Sequence, residues 1–298
     1  MVLLPEEIEK LKKAGRITAE ALKLGKGMIK EGAMIFDIAE AVEKKMVEMG
    51  GKPAFPANIS INEIAAHYSP LVGDGIFVKE TDYVKLDIGA HVDGFIADAA
   101  ITVRPAGEDE LIVCAKKMLS SALPMFTPGT QIADIGETIE GVAKEFGFKS
   151  IRNLTGHGVE RYNLHAGVMI QNVKTNSAGV IDDGKVYACE PFCTNGAGMV
   201  KEVDPATIFR WIMDRPVRTM EARKIMELGK TDFARLPFAK RWLQKLFGSV
   251  KTELALKELS SIVSVYPYKI LKETGNGMVA QFEHTIIVGE KPFVTTLL

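Results

Sequence analysis

The chain repeats itself. The stretch Gly32-Ala33-Met34-Ile35-Phe36-Asp37-Ile38-Ala39-Glu40 returns 97 residues later as Gly129-Thr130-Gln131-Ile132-Ala133-Asp134-Ile135-Gly136-Glu137. Glu43 and Gly50 recur in step as Glu140 and Gly147. Chance rarely supplies so many identities at one offset, so the repeat limits the fold before any other feature does. Each copy reads as a turn, an amphipathic helix and a glycine stop. Each also follows another helix, about 5–29 and about 109–126. Repetition of the whole pair implies two similar halves that face each other.

Strands follow each helical pair. Residues 83–89 and 95–103 alternate in character around a Val92-Asp93-Gly94 turn signal. Further strands are expected at 185–191 and 279–288. Between them lie charged stretches with helical apolar spacing, such as 217–229 and 251–262. This predicts a helical subdomain at 201–272, inserted into a catalytic domain made of 1–200 and 273–298. Apolar residues make up 47% of 298, enough for a substantial core. A formal net charge of -1 gives no general case for a nucleic-acid or membrane-surface protein. Three cysteines, Cys114, Cys189 and Cys193, do not make a disulfide framework and suit a reducing compartment. The start, Met1 to Glu7, lacks the basic residues and long apolar stretch of a signal peptide. No window reaches the ~18 uninterrupted apolar residues of a membrane span. A cytoplasmic monomer with no membrane contact is expected.

Chemistry concentrates in a few residues. Folding the first hairpin about Val92-Asp93 sets Asp87 directly across from Asp98, on one face. Like charges so placed repel unless a cation lies between them; the bland alternative is two surface aspartates on an edge hairpin. Glu190 and Glu283 each stand alone in an apolar strand. A buried carboxylate costs several kcal/mol unless paired or bound to metal. His157 sits between Gly156 and Gly158, read as a loop, where it serves either as a ligand or as a turn residue. His67 and His165 differ by nearly the repeat offset and so belong to equivalent places in the two halves, or are ordinary half-buried histidines. Two Asp, two Glu and one His suit a pair of divalent Mn, Fe, Co or Zn ions better than a structural zinc site. His91, Asp93 and His284 are expected to be bystanders: two at the hairpin tip, one turned away from Glu283 by strand alternation. No phosphate loop, Gly-x-Ser-x-Gly elbow or Cys-x-x-Cys pair competes with this reading.

Six segments carry a resemblance. Ala65-Ala66-His67-Tyr68-Ser69-Pro70, Leu86-Asp87-Ile88-Gly89, Asp93-Gly94-Phe95-Ile96-Ala97-Asp98, Gly156-His157-Gly158, Leu164-His165-Ala166-Gly167 and Ala280-Gln281-Phe282-Glu283-His284-Thr285 resemble type II methionine aminopeptidases, archaeal members above all. The likeness covers essentially the whole chain. It implies the α/β (α+β) pita-bread fold of the creatinase/aminopeptidase kind, pseudo-twofold, with a curved antiparallel sheet. It implies metal-dependent removal of the initiator methionine from nascent proteins and peptides when the second residue is small, in a ribosome-proximal setting. Carried over, Asp87 binds one metal through both oxygens and Asp98 and Glu283 bridge two. His157 and Glu190 complete the second site, and Glu190 shuttles the proton. His67 and His165 contact the substrate, and Phe55-Pro56-Ala57-Asn58 lines the methionine pocket. The fold also hosts type I enzymes, proline-specific peptidases and non-catalytic ribosome- or RNA-binding relatives. The eight-residue step from His157 to His165 and the insertion favour type II. The proline enzymes normally carry an extra N-terminal domain, for which the chain has no room. The non-catalytic relatives have lost ligands that are all present here.

Overall fold

A computed structural model describes residues 3–176 and 178–297; Met1 and Val2 of the N-terminal segment, Ser177 and Leu298 lie outside the described residues. The first half runs α1 (Pro5–Met28), α2 (Ile35–Glu48), β1 (Lys52–Pro53), β2 (Asn58–Ile61), β3 (Ile64–Ala66), β4 (Val84–Val92) and β5 (Phe95–Val103). The second runs α3 (Glu110–Ala122), α4 (Ile132–Glu145), β6 (Lys149–Ser150), β7 (Thr155–Glu160), β8 (Asn163–Gln171), β9 (Val186–Cys189) and β10 (Phe192–Thr194). Then come β11 (Val200–Trp211), α5 (Met220–Lys230), β12 (Phe238–Ala239), α6 (Lys240–Phe247), α7 (Ser249–Ser261) and β13 (Val265–Glu273). The chain closes with β14 (Val279–Gln281), β15 (His284–Ile287) and β16 (Phe293–Val294).

The sequence repeat is a backbone repeat. Helices α2 and α4 start and stop at residues in register with it. Each is followed by a glycine in the left-handed region, Gly50 (φ 81°) and Gly147 (φ 76°), where a side chain is disfavoured. In the first half, Ile17, Leu22, Ile38 and Val42 of the helices pack on Ile59, Leu86 and Ile88 of the sheet. In the second, Ile112, Met118, Ile135 and Ile139 pack on Tyr187, Cys189, Ala280 and Ile286. Helices therefore cover the outside and leave the inner sheet faces for a cleft. This is the expected pita-bread arrangement. Among the described residues, no helix is long and apolar enough to cross a membrane.

A seam joins the halves. Ala100 of β5 bridges Glu283, between β14 and β15. On either side, threonine hydroxyls replace missing ladder bonds. Thr285 Oγ1 accepts from the Asp98 amide at 2.7 Å and donates to the Asp98 carbonyl at 2.8 Å. Thr102 Oγ1 does the same for Gln281, at 2.7 and 2.8 Å. A hydroxyl can do both because it carries a proton and two lone pairs.

Three expectations need correction. The first hairpin turns at Asp93-Gly94, both with positive φ, and Val92 pairs with Phe95. That two-residue turn matches the strand twist. It shifts the register: Asp87 faces Ala100 and Gly89 faces Asp98, so the aspartates share a face as diagonal neighbours, not directly opposed. Second, Gly156-His157-Gly158 is strand, not loop; it pairs with β8 and β9. A Cβ on Gly156 or Gly158 would stand 2.3 Å from the carbonyl of Ala188 or Ala166, so close strand approach is what requires glycine there. Third, 201–272 is helical only in its middle. Its ends belong to the paired strands β11 and β13, and β13 also pairs with β3 of the first half. Residues Thr207-Ile208-Phe209 and Val265-Tyr266 are strand formers. Asp204-Pro205 and an irregularity in register between Val203 and Ile208 break up their alternation.

Candidate metal centre and active-site cleft

All eight residues singled out from the sequence line one cavity of about 330 Å³: Phe55, His67, Asp87, Asp98, His157, His165, Glu190 and Glu283. The acids come from the inner sheet faces on both sides of the seam. Asp87 and Asp98 stand on β4 and β5. Glu190 lies between β9 and β10, and Glu283 between β14 and β15. One register continues through both gaps and sets Glu190 across from Glu283. His157 projects from β7 between them.

The centre is rich in oxygen ligand atoms, and few hydrogen bonds reach them. Donor-type atoms of Asp98, His157 and Glu283 lie within 4.8 Å of one another. His157 Nε2 is 3.4 Å from Glu190 and 3.8 Å from Asp98. Its Nδ1 is 3.2 Å from the Gly158 carbonyl, which can only accept, so Nδ1 carries the proton and Nε2 presents a lone pair. Buried oxygens of Asp87, Asp98 and Glu283 have no hydrogen-bond partner. Gln281 Nε2 donates to the Glu190 carboxylate at 3.4 Å, and the Asn172 side-chain amide donates to the Glu190 backbone carbonyl at 3.1 Å. Burial raises the carboxyl pKa of Asp87, to about 7. Burial, and then the neighbouring acids, holds those of Asp98, Glu190 and Glu283 well above the usual range. Burial also lowers His157, to about 4, so its ring is neutral at ordinary pH. A neutral imidazole fixed in one tautomer beside unpartnered carboxylate oxygens is the donor set a divalent cation needs.

The cleft around this centre has distinct walls. His67 (φ 67°) holds its Nδ1 3.1 Å from the Lys269 carbonyl, which leaves Nε2 without that proton when the ring is neutral. Its ring meets Tyr268 edge-on at 5.5 Å. His165 lies 4.6 Å from His157 and 6.3 Å from Tyr268. Both histidines are held below the usual imidazole range, mainly by burial; the positive charge of Arg210 adds to this at His165. Phe55 stands against β4 because Gly89 leaves room; a Cβ there would be 2.4 Å from its ring. Asn58 was placed in the sequence only within the pocket segment. It proves to be paired with Asp87, with a buried Oδ1 that nothing satisfies. Gln281 and the insertion's Ile208, Tyr268 and Leu271 were missed. Gln281 had a signal, being a lone amide two residues before Glu283 in an apolar strand. The others had none, because the strands that bring them were not foreseen. His91, Asp93 and His284 do not line the cavity. His91 accepts from the Gly94 amide, Asp93 pairs with Lys10 at 2.9 Å, and His284 bonds Thr296 at 2.8 Å.

Comparison with known proteins shows the family. A methionine aminopeptidase of Thermococcus kodakarensis is 50% identical over 98% of this chain and 100% of its own length. One from Methanothermobacter thermautotrophicus is 39% identical over 95% and 96%. Among solved structures, methionine aminopeptidase from Thermotoga maritima has a TM-score of 0.73 at 24% identity, covering 100% of this chain and 99% of that one. A thermophilic Arx1 has a TM-score of 0.87 at 19% identity, covering 99% and 91%; both likenesses speak to fold alone. The sequence model of metallopeptidase family M24 matches residues 9–290. The chain belongs to metallopeptidase family M24.

Proposed function

We propose that the chain is a type II methionine aminopeptidase of the cytoplasm, which releases the initiator methionine from nascent proteins and peptides whose second residue is small. The observation that carries this is the meeting, in one cavity, of a buried acid cluster with unpartnered oxygens and of Phe55, His67 and His165. Asp87, Asp98, His157, Glu190 and Glu283 would hold two divalent ions of the Co, Mn, Fe or Zn type. Such ions supply Lewis acidity and lower the pKa of water. The chain's own groups do the rest. Glu190 takes the proton of the attacking water and later gives it to the leaving amine. His67, proton on Nδ1, offers Nε2 to an amide N–H of the substrate. His165 steadies the developing oxyanion from the facing wall. Phe55, over Gly89, gives the thioether an apolar aromatic slot.

We also read 201–272 as an inserted subdomain with a core of its own, built on Phe209, Trp211, Ile225, Phe238, Leu243 and Leu256. It holds fifteen Lys and Arg against eight Asp and Glu, in a chain of net charge -1. That local excess supports work close to the ribosome, whose RNA is anionic. Salt-sensitive co-sedimentation with ribosomes is expected; sedimentation of free enzyme alone would end that part.

The central test pairs metal content with turnover. Metal-loaded protein should release methionine from Met-Ala-Ser, lose that activity to a chelator, and leave an Ala-Pro peptide intact. Metal binding without methionine release would overturn the assignment. Cleavage of the Ala-Pro peptide in preference would point to a proline-specific enzyme.

A further inference from the structure

Arg241, at the start of α6, is 0% exposed, although it lies outside the cavity. Each of its three guanidinium nitrogens donates a hydrogen bond. Nε bonds Glu40 at 3.0 Å; one terminal nitrogen donates to Glu43 and the other to Ser69 Oγ. Both of those acceptors hold the same residue. The Ala57 amide donates to Glu43 Oε1 at 2.9 Å, and Ser69 Oγ donates to the Ala57 carbonyl at 2.9 Å. Glu43 also accepts from Trp242 Nε1 at 2.8 Å. The Ser69 amide donates to Thr207 Oγ1 of β11 at 3.0 Å. Ala57 lies between Phe55 and Asn58, which line the cavity, and Ser69 lies two residues after His67, which lines it too.

We propose that Arg241 is a positioning residue for specificity: from the inserted segment it fixes, through Glu43 and Ser69, the wall of the pocket that receives the substrate's first side chain. This rests on the reading of Phe55–Asn58 as the methionine pocket. Ala57 packs into the first-half core with its Cβ alone, and its two backbone bonds add the directional hold. Arg241 orients the partner of each. A planar fork can serve two acceptors at fixed angles; a lysine ammonium cannot hold that geometry. A wall held this way discriminates by shape, and shape discrimination among apolar side chains is shallow and easily lost.

The test uses the metal-loaded full chain with Arg241→Lys and with Ser69→Ala. The first keeps a positive charge beside Glu43, and the second leaves the ion pair intact, so both avoid a bare buried carboxylate. kcat and KM are measured for Met-Ala-Ser and Leu-Ala-Ser, beside bound metal and thermal melting. Selectivity for methionine over leucine, in kcat/KM, should fall about tenfold in each variant. The change should sit in KM, with metal content unchanged. A merely structural role would lower Tm and leave selectivity alone. Folded variants with wild-type selectivity would overturn the inference while wild-type methionine release keeps the assigned function standing. Failure of the wild type to release methionine would overturn both.

Discussion

The two halves of this molecule are built alike and do different chemistry. In the first, the strand pair β4–β5 closes with the two residues Asp93-Gly94. In the second, β9–β10 and β14–β15 occupy the corresponding places, since β1 and β2 flank β4 as β6 and β7 flank β10 and β9. There the same junction opens into β11 to β13 and three helices. The facing residues differ as well. Asp87 faces Ala100, whereas Glu190 stands across from Glu283. Ser60 in β2 and His157 in β7 are related by the repeat offset, and only one is a ligand type. A duplicated frame thus provides a cleft on its seam. The asymmetry of what lines that cleft provides the chemistry. The lengthened junction brings in a wall, Ile208, Tyr268 and Leu271, that the short turn cannot.

The largest expected effect comes from breaking the seam. Asp98 lies on one side of it and Glu283 on the other, their backbones tied through Thr285 and Ala100. Asp98→Ala and Glu283→Ala should each remove more than one metal equivalent and cut turnover by more than about 10³, because groups acting as a unit fail together. Asp87→Ala should be milder in stoichiometry, with loss of one ion. Elemental analysis of purified variants decides this; loss of a single ion from Asp98→Ala would show that it does not bridge.

Much of this was legible in the sequence, for a physical reason. Helix period and glycine stops are local, so the repeat gave α2 and α4 their bounds. Apolar strands interrupted by single acids are likewise visible, so Asp87, Asp98, Glu190 and Glu283 stood out. What is not local was lost. A turn placed one residue early moved the hairpin register by two, although both aspartates kept their face. Glycines beside His157 read as freedom, when what they allow is the close approach of β8 and β9. Strands β11 and β13 escaped notice because Asp204-Pro205 and the register irregularity hide their alternation. Tyr268 went with them, and Arg241, on α6, gives no local sign that it is buried.

His67 and His165 sharpen the comparison, because each half supplies one. Loss of a donor to a developing oxyanion, the role given to His165, typically costs about 10²–10³ in turnover, and loss of the acceptor that His67 offers to the substrate amide N–H is expected to cost about as much. His165→Ala and His67→Ala should show losses of this order, mostly in kcat, with metal retained. A missing ion in either variant would make that histidine a ligand; near-normal turnover would make it structural. A smaller effect is expected from pH. The four acids keep protons well above the usual range, Asp87 up to about 7, and a cation must displace them. Raised carboxyl pKa values stabilise the metal-free fold at low pH, and that contribution is lost as pH rises through them. Metal therefore binds more tightly as pH rises, and the Tm gain on adding metal should grow from about pH 5 to about pH 8. Lys85, brought down to about 7 by burial, titrates in the same range, but with and without metal, so the difference in Tm isolates the cluster. A gain that shrinks with rising pH would contradict the arrangement.

The smallest effect is expected at the short junction itself. Asp93 is exposed, its carboxylate is turned to Lys10, and its φ of 51° suits Asp better than Ala. His91 is buried, and its Nδ1 accepts from the Gly94 amide at 3.1 Å, so His91→Ala forfeits one turn bond, about 1 kcal/mol. Neither lines the cavity. Both variants should melt a little earlier and keep wild-type metal content, kcat and KM. Arg241, at the other junction, is also remote from the metal cluster, and there a change should move selectivity. The contrast separates distance from connection. The turn at Asp93-Gly94 ties to His91, to Lys10, to Arg161, which reaches the Asp93 carbonyl, and to Tyr162, whose amide donates to the Gly94 carbonyl at 2.9 Å; none of these four lines the cavity. Arg241 reaches Ala57 through two bonded partners. If His91→Ala lowered methionine selectivity as much as Arg241→Lys, general loosening of the first half would explain both, and the difference between the two junctions would carry no function.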